Sequence, residues 1–214
     1  MSHLFPEQIE TERLVLRRLS MDNLSVREFY DICKPSPEME AVTKYMPWKP
    51  HATMKPTREF MARREKLWND GEEAAYFILP REGEDGAGQF AGTATLHCDW
   101  ERRVGGLGTW LRKDYWGRGY SGERAAALMQ LAFDRLDLAY VKVTHHTEND
   151  KSKRAVEKYV EAHGGRRDAT LRNWLPYEDH VSDQVYYSVS QSQWREAVEG
   201  RKKAEYTEVI DHAE

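Results

Sequence analysis

Two glycines, Gly117 and Gly119, separate an apolar strand-like stretch, Val104 to Arg112, from a run in which Ala125, Leu128, Met129, Ala132 and Leu136 recur at helical spacing. A strand that turns through such a pair into an amphipathic helix lays that helix over a sheet. Glycines accept positive φ and let successive N–H groups converge at the positive end of the helix, an arrangement that cradles an anion such as phosphate. A plain tight turn uses the same residues, so the turn by itself decides nothing. No Gly-Lys-Ser/Thr follows it, and neither a nucleoside triphosphatase nor a dinucleotide-binding unit is expected.

The flanking pattern predicts a mixed α/β sheet with helices on its faces. Arg13 to Leu19 alternates like a strand, and a helix follows near residues 22 to 33. The proline-rich stretch Pro35 to Pro56 reads as a loop carrying Tyr45, Met46 and Trp48, before a second helix from Thr57 to Asp70. Ala74 to Pro80, Gln89 to Asp99 and Val104 to Arg112 read as consecutive strands. The acidic glycine-rich stretch Glu82 to Gly88 makes a mobile turn between the first two. The helix Tyr120 to Leu136, the strand Ala139 to Thr144, the helix Asp150 to Ala162 ended by Gly164-Gly165, and strands near Arg166 to Trp174 and Gln184 to Ser190 complete one domain over residues 1 to 190. Residues 191 to 214 are polar and charged and read as a peripheral helix and frayed tail.

Composition narrows the partners. Lys+Arg 32 against Asp+Glu 36 leaves a net charge of −4, which does not suit a general polyanion binder, so nucleic acid is not expected. The longest apolar stretches, such as Ala125 to Met129, fall far short of the roughly 20 residues that span a bilayer, so no membrane is expected either. Two cysteines, Cys33 and Cys98, and a start without basic and apolar leader regions favour a reducing cytoplasm as the expected compartment.

Three motifs taken together are more specific: Leu107-Gly108-Thr109-Trp110-Leu111, then Tyr115-Trp116-Gly117-Arg118-Gly119-Tyr120-Ser121-x-Glu123, then Asn149-x-x-Ser152. In this order they resemble the GNAT superfamily of acetyl-CoA-dependent N-acyltransferases, nearest the branch that acetylates ribosomal-protein N-termini. Thr11-Glu12 followed by Arg13 to Arg17 resembles the first strand of that branch, so the likeness spans about residues 9 to 190. It implies a central, mostly antiparallel twisted sheet with helices on both faces, splayed where acetyl-CoA binds. It implies that the backbone of Gly117, Arg118, Gly119, Tyr120, Ser121 and Gly122 holds the coenzyme A pyrophosphate. Trp110, Leu111 and Arg112 would pair with the pantetheine arm, which carries amides that suit an open strand edge. Ser121 stands where the family usually has Gly or Ala.

Asn149 and Ser152 have two readings. They suit the cap of a helix, and in the resembled branch the Asn contacts the coenzyme arm while the Ser hydroxyl lies near the sulfur. Attack of an amine on the thioester forms an oxyanion and expels a thiolate that needs a proton donor; Ser152 is the candidate. The Tyr that many members carry further along this helix is replaced by Val156, and Tyr159, a turn later, is read as packing. The base is less determined. The strand Glu of many members is replaced by Gly106, which leaves Glu101 and Asp99 on the preceding bend as candidates, with Asp168 as an outsider. His97, His145 and His146 have no zinc-like spacing, so no metal is expected.

Between Lys151 and Arg172 seven basic residues stand against three acidic. This is either a solvated helix face or a site where Lys153 or Arg154 meets the 3′-phosphate of coenzyme A. By the same resemblance the acceptor enters between Met39 to His51, with Tyr45, Met46 and Trp48, and Asn173 to His180, with Trp174 and Tyr177. Aromatic walls suit a cationic amine or a peptide end. The expected activity is transfer of acetyl from acetyl-CoA to a primary amine, a protein N-terminus among the possibilities. The alternatives are a small-molecule amine acetyltransferase, acting on a polyamine, amino acid or antibiotic, and a catalytically weak coenzyme-binding sensor. A homodimer fits family habit, though no residue fixes it.

Overall fold

The structure, a computed structural model, describes residues 4–200 and 203–208. Nine strands form one sheet: β1 (Gln8–Glu10), β2 (Leu14–Arg18), β3 (Glu73–Pro80), β4 (Gly92–Asp99), β5 (Val104–Leu111), β6 (Tyr140–His146), β7 (Arg166–Pro176), β8 (Val181–Ser190) and β9 (Glu205–Thr207). Their order is β7-β8-β6-β5-β4-β3-β2-β1-β9. Every neighbouring pair is antiparallel except β5 and β6. Those two are parallel because a helix, α4 (Tyr120–Gln130), carries the chain back across one face between them. The fold is therefore the mixed, mostly antiparallel α/β sheet with helices on both faces that the motifs imply.

Strand alternation divides the side chains between two layers. Ala74, Tyr76, Leu96, Leu107, Val141 and Val143 bury toward α4 and α5 (Asp150–Ala162). Ala75, Phe77 and Trp110 bury on the opposite face with Phe29 and Cys33 of α1 (Val26–Cys33) and Met61 of α3 (Met54–Asn69). Helix α1 starts on a capping box, with Ser25 and Glu28 each bonding the other's backbone N–H.

Four expectations are corrected. The segment between Pro35 and Pro56 is not all loop: α2 (Pro37–Thr43) begins with Ser36 as its cap and a proline in its first turn, where the missing N–H costs nothing. The α4 helix ends at Gln130, and Leu131–Arg135 continues it as a wider π turn. The acidic Glu82 to Gly88 stretch is tied down, since Tyr120 donates to Glu84 at 2.6 Å and Arg118 pairs with Asp85 at 2.9 Å. Beyond Ser190 the chain forms α6 (Gln191–Ala197), whose Trp194 is buried against Phe133, and then β9, which pairs with β1 instead of fraying. Residues 209–214 lie outside the described residues.

Candidate active site

The parallel pair of β5 and β6 runs only from Val104↔Tyr140 to Leu107↔Val143. Beyond it, β5 continues to Leu111 beside β4, and Thr144 to His146 of β6 pair only with β8. One edge of Gly108 to Leu111 thus has no strand beside it, and a slot opens between β5 and β6. Trp116 donates its indole N–H to the Leu111 carbonyl at 2.8 Å, and Arg112 gives its backbone N–H to Ala91, so two of the groups expected to meet the pantetheine arm are engaged within the protein.

The glycine turn stands at the mouth of this slot. Gly117 and Gly119 have φ of 79° and 83°, the left-handed region open chiefly to glycine. Gly119 carries α4 out of the turn, and the amides of Gly122 and Glu123 fold back onto its carbonyl. Among the described residues, the N–H groups of Gly117 through Ser121 donate to no protein acceptor. They stand at the positive end of α4, which fits a pyrophosphate. Gly117, Gly119 and Gly122 also spell the dinucleotide-binding pattern, but that pattern belongs to a doubly wound parallel sheet, and the strand before this turn is antiparallel to β4.

A clamp that the sequence reading missed holds the turn from below. Glu123 accepts from the Arg13 backbone at 2.7 Å, from Arg13 Nε at 2.8 Å and from the Thr11 hydroxyl at 2.6 Å. Arg13 Nη1 in turn donates to the Arg118 carbonyl at 3.0 Å. The Arg118 side chain points to Asp85 and lies over the Tyr115 ring.

Asn149 caps α5, its Oδ1 accepting from the Ser152 amide at 3.1 Å. The Ser152 hydroxyl makes no hydrogen bond with another described residue. Lys151 bridges the two helix starts, its ammonium 4.2 Å from the centre of the Trp116 ring. Lys153 and Arg154 are exposed on the same turn. Tyr159 is packing, as expected: it is buried with the Arg124 guanidinium over its ring.

The proposed bases do not gather here. Asp99 pairs with Val104, four residues before Gly108, which is about 14 Å along the strand. It is occupied with the Arg102 amide, and Glu101 is exposed in the turn beyond it. Asp168 bonds Ser188 and Arg166 on the outer strands. Cross-strand register puts His97 opposite Gly106 instead, on the face away from α4 and α5. A Cβ built on Gly106 would lie 3.4 Å from Lys142 Cε and 3.9 Å from His97 Cβ. Sequence spacing gives no hint of that trio, because it forms only through the register of three strands.

The two acceptor loops touch each other. Tyr177 donates to the Tyr45 carbonyl at 2.9 Å, the His146 ring lies 5.1 Å from Tyr45 and 6.0 Å from Tyr177, and Lys49 pairs with Glu178. Trp48 packs 5.8 Å from Trp110, while Trp174 is exposed. His145 is buried on the other face, its Nε2 3.3 Å from the Tyr187 hydroxyl. Burial pushes the Cys33 and Cys98 thiols up to about 12, so neither supplies a thiolate. Among the described residues no group of three His, Cys, Asp or Glu could hold a metal, and no helix is long and apolar enough to cross a membrane. A hollow of about 470 Å³ lies under the Arg13–Glu123 pair, against Gln130 and Trp194, but no residue of β5 or β6 lines it.

The acetyltransferase (GNAT) domain family matches residues 13–159. The chain belongs to the GNAT family. It is similar to an uncharacterized N-acetyltransferase, p20, of Bacillus licheniformis, 23% identical over 184 residues that cover 86% of this chain and 96% of p20. Its fold is shared by a GCN5-related N-acetyltransferase from Brucella melitensis, with a TM-score of 0.71, 20% identity and coverage of 93% of this chain and 86% of that one. It is shared also by RimL, a ribosomal L7/L12 α-N-protein acetyltransferase solved with coenzyme A, with a TM-score of 0.72, 16% identity and coverage of 86% and 98%. This GNAT chain is an acetyl-CoA-dependent N-acetyltransferase.

Proposed function

We propose that this GNAT protein transfers acetyl from acetyl-CoA to a small primary amine by direct attack. The observation that carries the reading is the slot between β5 and β6, open beyond Leu107 and Val143, with the uncommitted amides of Gly117 to Ser121 at its mouth. The amides of Gly117 to Ser121 hold the pyrophosphate, and the free edge of Thr109 and Trp110 guides the pantetheine arm past Asn149. Lys153 or Arg154 meets the 3′-phosphate.

The neutral amine forms the new C–N bond at the thioester carbon, and the C–S bond breaks. Ser152 gives its proton to the departing thiolate and recovers one from water, while the attacking nitrogen loses its surplus proton toward His97 or a water it holds. His97 is preferred to Glu101 and Asp99 because it lies two residues from Gly108 in register, about 7 Å along the sheet, on the acceptor face. An imidazole accepts a proton readily near neutrality.

Contact between the Tyr45 and Tyr177 loops narrows the acceptor path and favours a small amine over a folded protein's end. A protein N-terminus is the alternative: the motifs resemble the ribosomal-protein branch and the fold is shared with RimL, but likeness of this kind does not by itself carry an acceptor.

The test is calorimetric titration of acetyl-CoA followed by thiol release over a panel of small amines and peptides. Ser152→Ala is expected to lower kcat by roughly 10² to 10⁴ with acetyl-CoA binding nearly intact, and His97→Gln to flatten the rise of kcat/KM with pH. Loss of binding alone in Ser152→Ala would mean that Ser152 only supports the helix start. An unchanged His97→Gln profile would leave the proton to bulk water.

A further inference from the structure

At the closed end of the slot, on the acceptor face, lies a hollow of about 110 Å³ lined by Gly106, Lys142, Thr144, Trp174 and Tyr186 among others. It borders Leu107 and Val143, the last paired residues before β5 and β6 part. Lys142 is the charged residue in its wall, and no carboxylate lines it. The Lys142 side chain leans over Gly106, where a Cβ would sit 3.4 Å from its Cε. The absence of a side chain at Gly106 thus creates the space that the lysine arm crosses.

Acidic groups nearby are otherwise engaged. Glu73, beside His97 in the register, pairs with Arg64, and Asp168 bonds Ser188 and Arg166. Lys142 makes no ion pair with any described residue. An ammonium at the edge of a small hollow, with an indole and a phenol beside it, is suited to an anion of a few heavy atoms.

We infer that the acceptor carries a carboxylate close to its amine, and that Lys142 binds that carboxylate while the amine reaches the thioester. The inference rests on the acyl-transfer reading above and adds the class of acceptor, an amino acid. The hollow adjoins the slot directly, so the anion and the amine must be separated by very few bonds, as in an α-amino acid. A polyamine would bring a second positive charge to Lys142 and be repelled. A peptide N-terminus has an uncharged amide in place of the carboxylate, and its chain would meet the Tyr45–Tyr177 contact.

The experiment compares thiol release with the L-amino acids and with their primary amides, in the wild type, Lys142→Met and Lys142→Glu, with acetyl-CoA titrated into the same samples. The wild type is expected to favour acids over amides in kcat/KM. Lys142→Met should reduce kcat/KM for the acids by about 10- to 100-fold, the loss of one hydrogen-bonded charge partner, and for the amides by far less. Lys142→Glu should reverse the preference, which keeps the test valid if one variant folds poorly. A wild type that favours amides or peptides, or a Lys142→Met loss equal for acids and amides, overturns the role of Lys142 and leaves acyl transfer standing. A wild type that binds no acetyl-CoA overturns both.

Discussion

Arg13 and Glu123, 110 residues apart in sequence, form a two-point ion pair directly beneath the glycine turn, with Nε and Nη2 of the arginine 2.8 and 2.7 Å from one carboxylate oxygen. The second oxygen of Glu123 takes the Arg13 amide and the Thr11 hydroxyl. Desolvation acts against the charge on Arg13, yet its bonds to Glu123 leave its pKa raised, so the guanidinium stays charged. Because Arg13 also donates to the Arg118 carbonyl, the pair fixes where the cradle's amides point. Glu123→Gln is expected to raise the acetyl-CoA Kd by about 3- to 30-fold with kcat changed little, as suits a positioning residue. Calorimetry beside steady-state kinetics checks this, and an unchanged Kd would sink it.

Gly117 and Gly119 share a positive φ but not their surroundings. A Cβ at Gly119 would sit 3.3 Å from Arg13 Nη2, whereas nothing lies within 4 Å of one at Gly117. Each change to alanine should cost about 1–2 kcal/mol of stability from the left-handed backbone alone. Only Gly119→Ala should also disturb the clamp, so its acetyl-CoA Kd should rise more than that of Gly117→Ala. Urea unfolding gives the first comparison and calorimetry the second; equal Kd values would refute the distinction.

Tyr159 is buried and its hydroxyl lacks a hydrogen-bond partner, as does Nε of the Arg124 guanidinium above its ring. Burial pushes the phenol's pKa up against the opposing pull of the Arg124 guanidinium, so the hydroxyl is neutral. Removing it should be favourable: Tyr159→Phe is expected to gain about 1 kcal/mol, since an unsatisfied buried hydroxyl costs about 1–3 kcal/mol. Chemical denaturation of the two proteins decides, and a clear loss of stability would mean that the hydroxyl has a partner such as ordered water.

Burial lowers the pKa of His145 and of His51, holding both neutral in the fold. Unfolded, each takes up a proton near pH 6.5. Below that pH the unfolded chain therefore binds more protons than the folded one, so stability falls as pH falls and is regained as it rises. His145→Gln should lose less stability than the wild type between pH 7.5 and pH 5. Parallel stability curves across that window would contradict the assignment.

Much of the fold was legible because its signals are local. Asn149 and Gly164-Gly165 bracket α5, and its observed bounds, Asp150–Ala162, are those the pattern predicts. The glycine turn likewise sits between strand and helix where its residues put it. What escaped the sequence depends on partners far along the chain. Three-residue β1 and β9 have too few residues for an alternation, and they exist because they pair with one another and with β2. Pro35 and Pro37 look like loop punctuation, but Pro37 stands in a helix's first turn, where proline is tolerated. The site divides the same way. The cradle and Asn149 belong to contiguous motifs, while Glu101 and Asp99 were placed by their nearness in sequence to β5, and the register that brings His97 and Lys142 to Gly106 lies outside any local pattern.

Four strand-to-strand residue pairs, Val104 to Leu107 against Tyr140 to Val143, join the β1–β5 leaf of the sheet, with β9 at its far edge, to the β6–β8 leaf. They act as the spine of a book whose open pages form the slot. Each page is stiffened on its other side, β5 by eight pairs to β4 and β6 by seven to β8. The last rung, Leu107 with Val143, marks where the pages part and borders the small hollow beside Lys142. A single rung thus stands at the root of both the slot and the hollow.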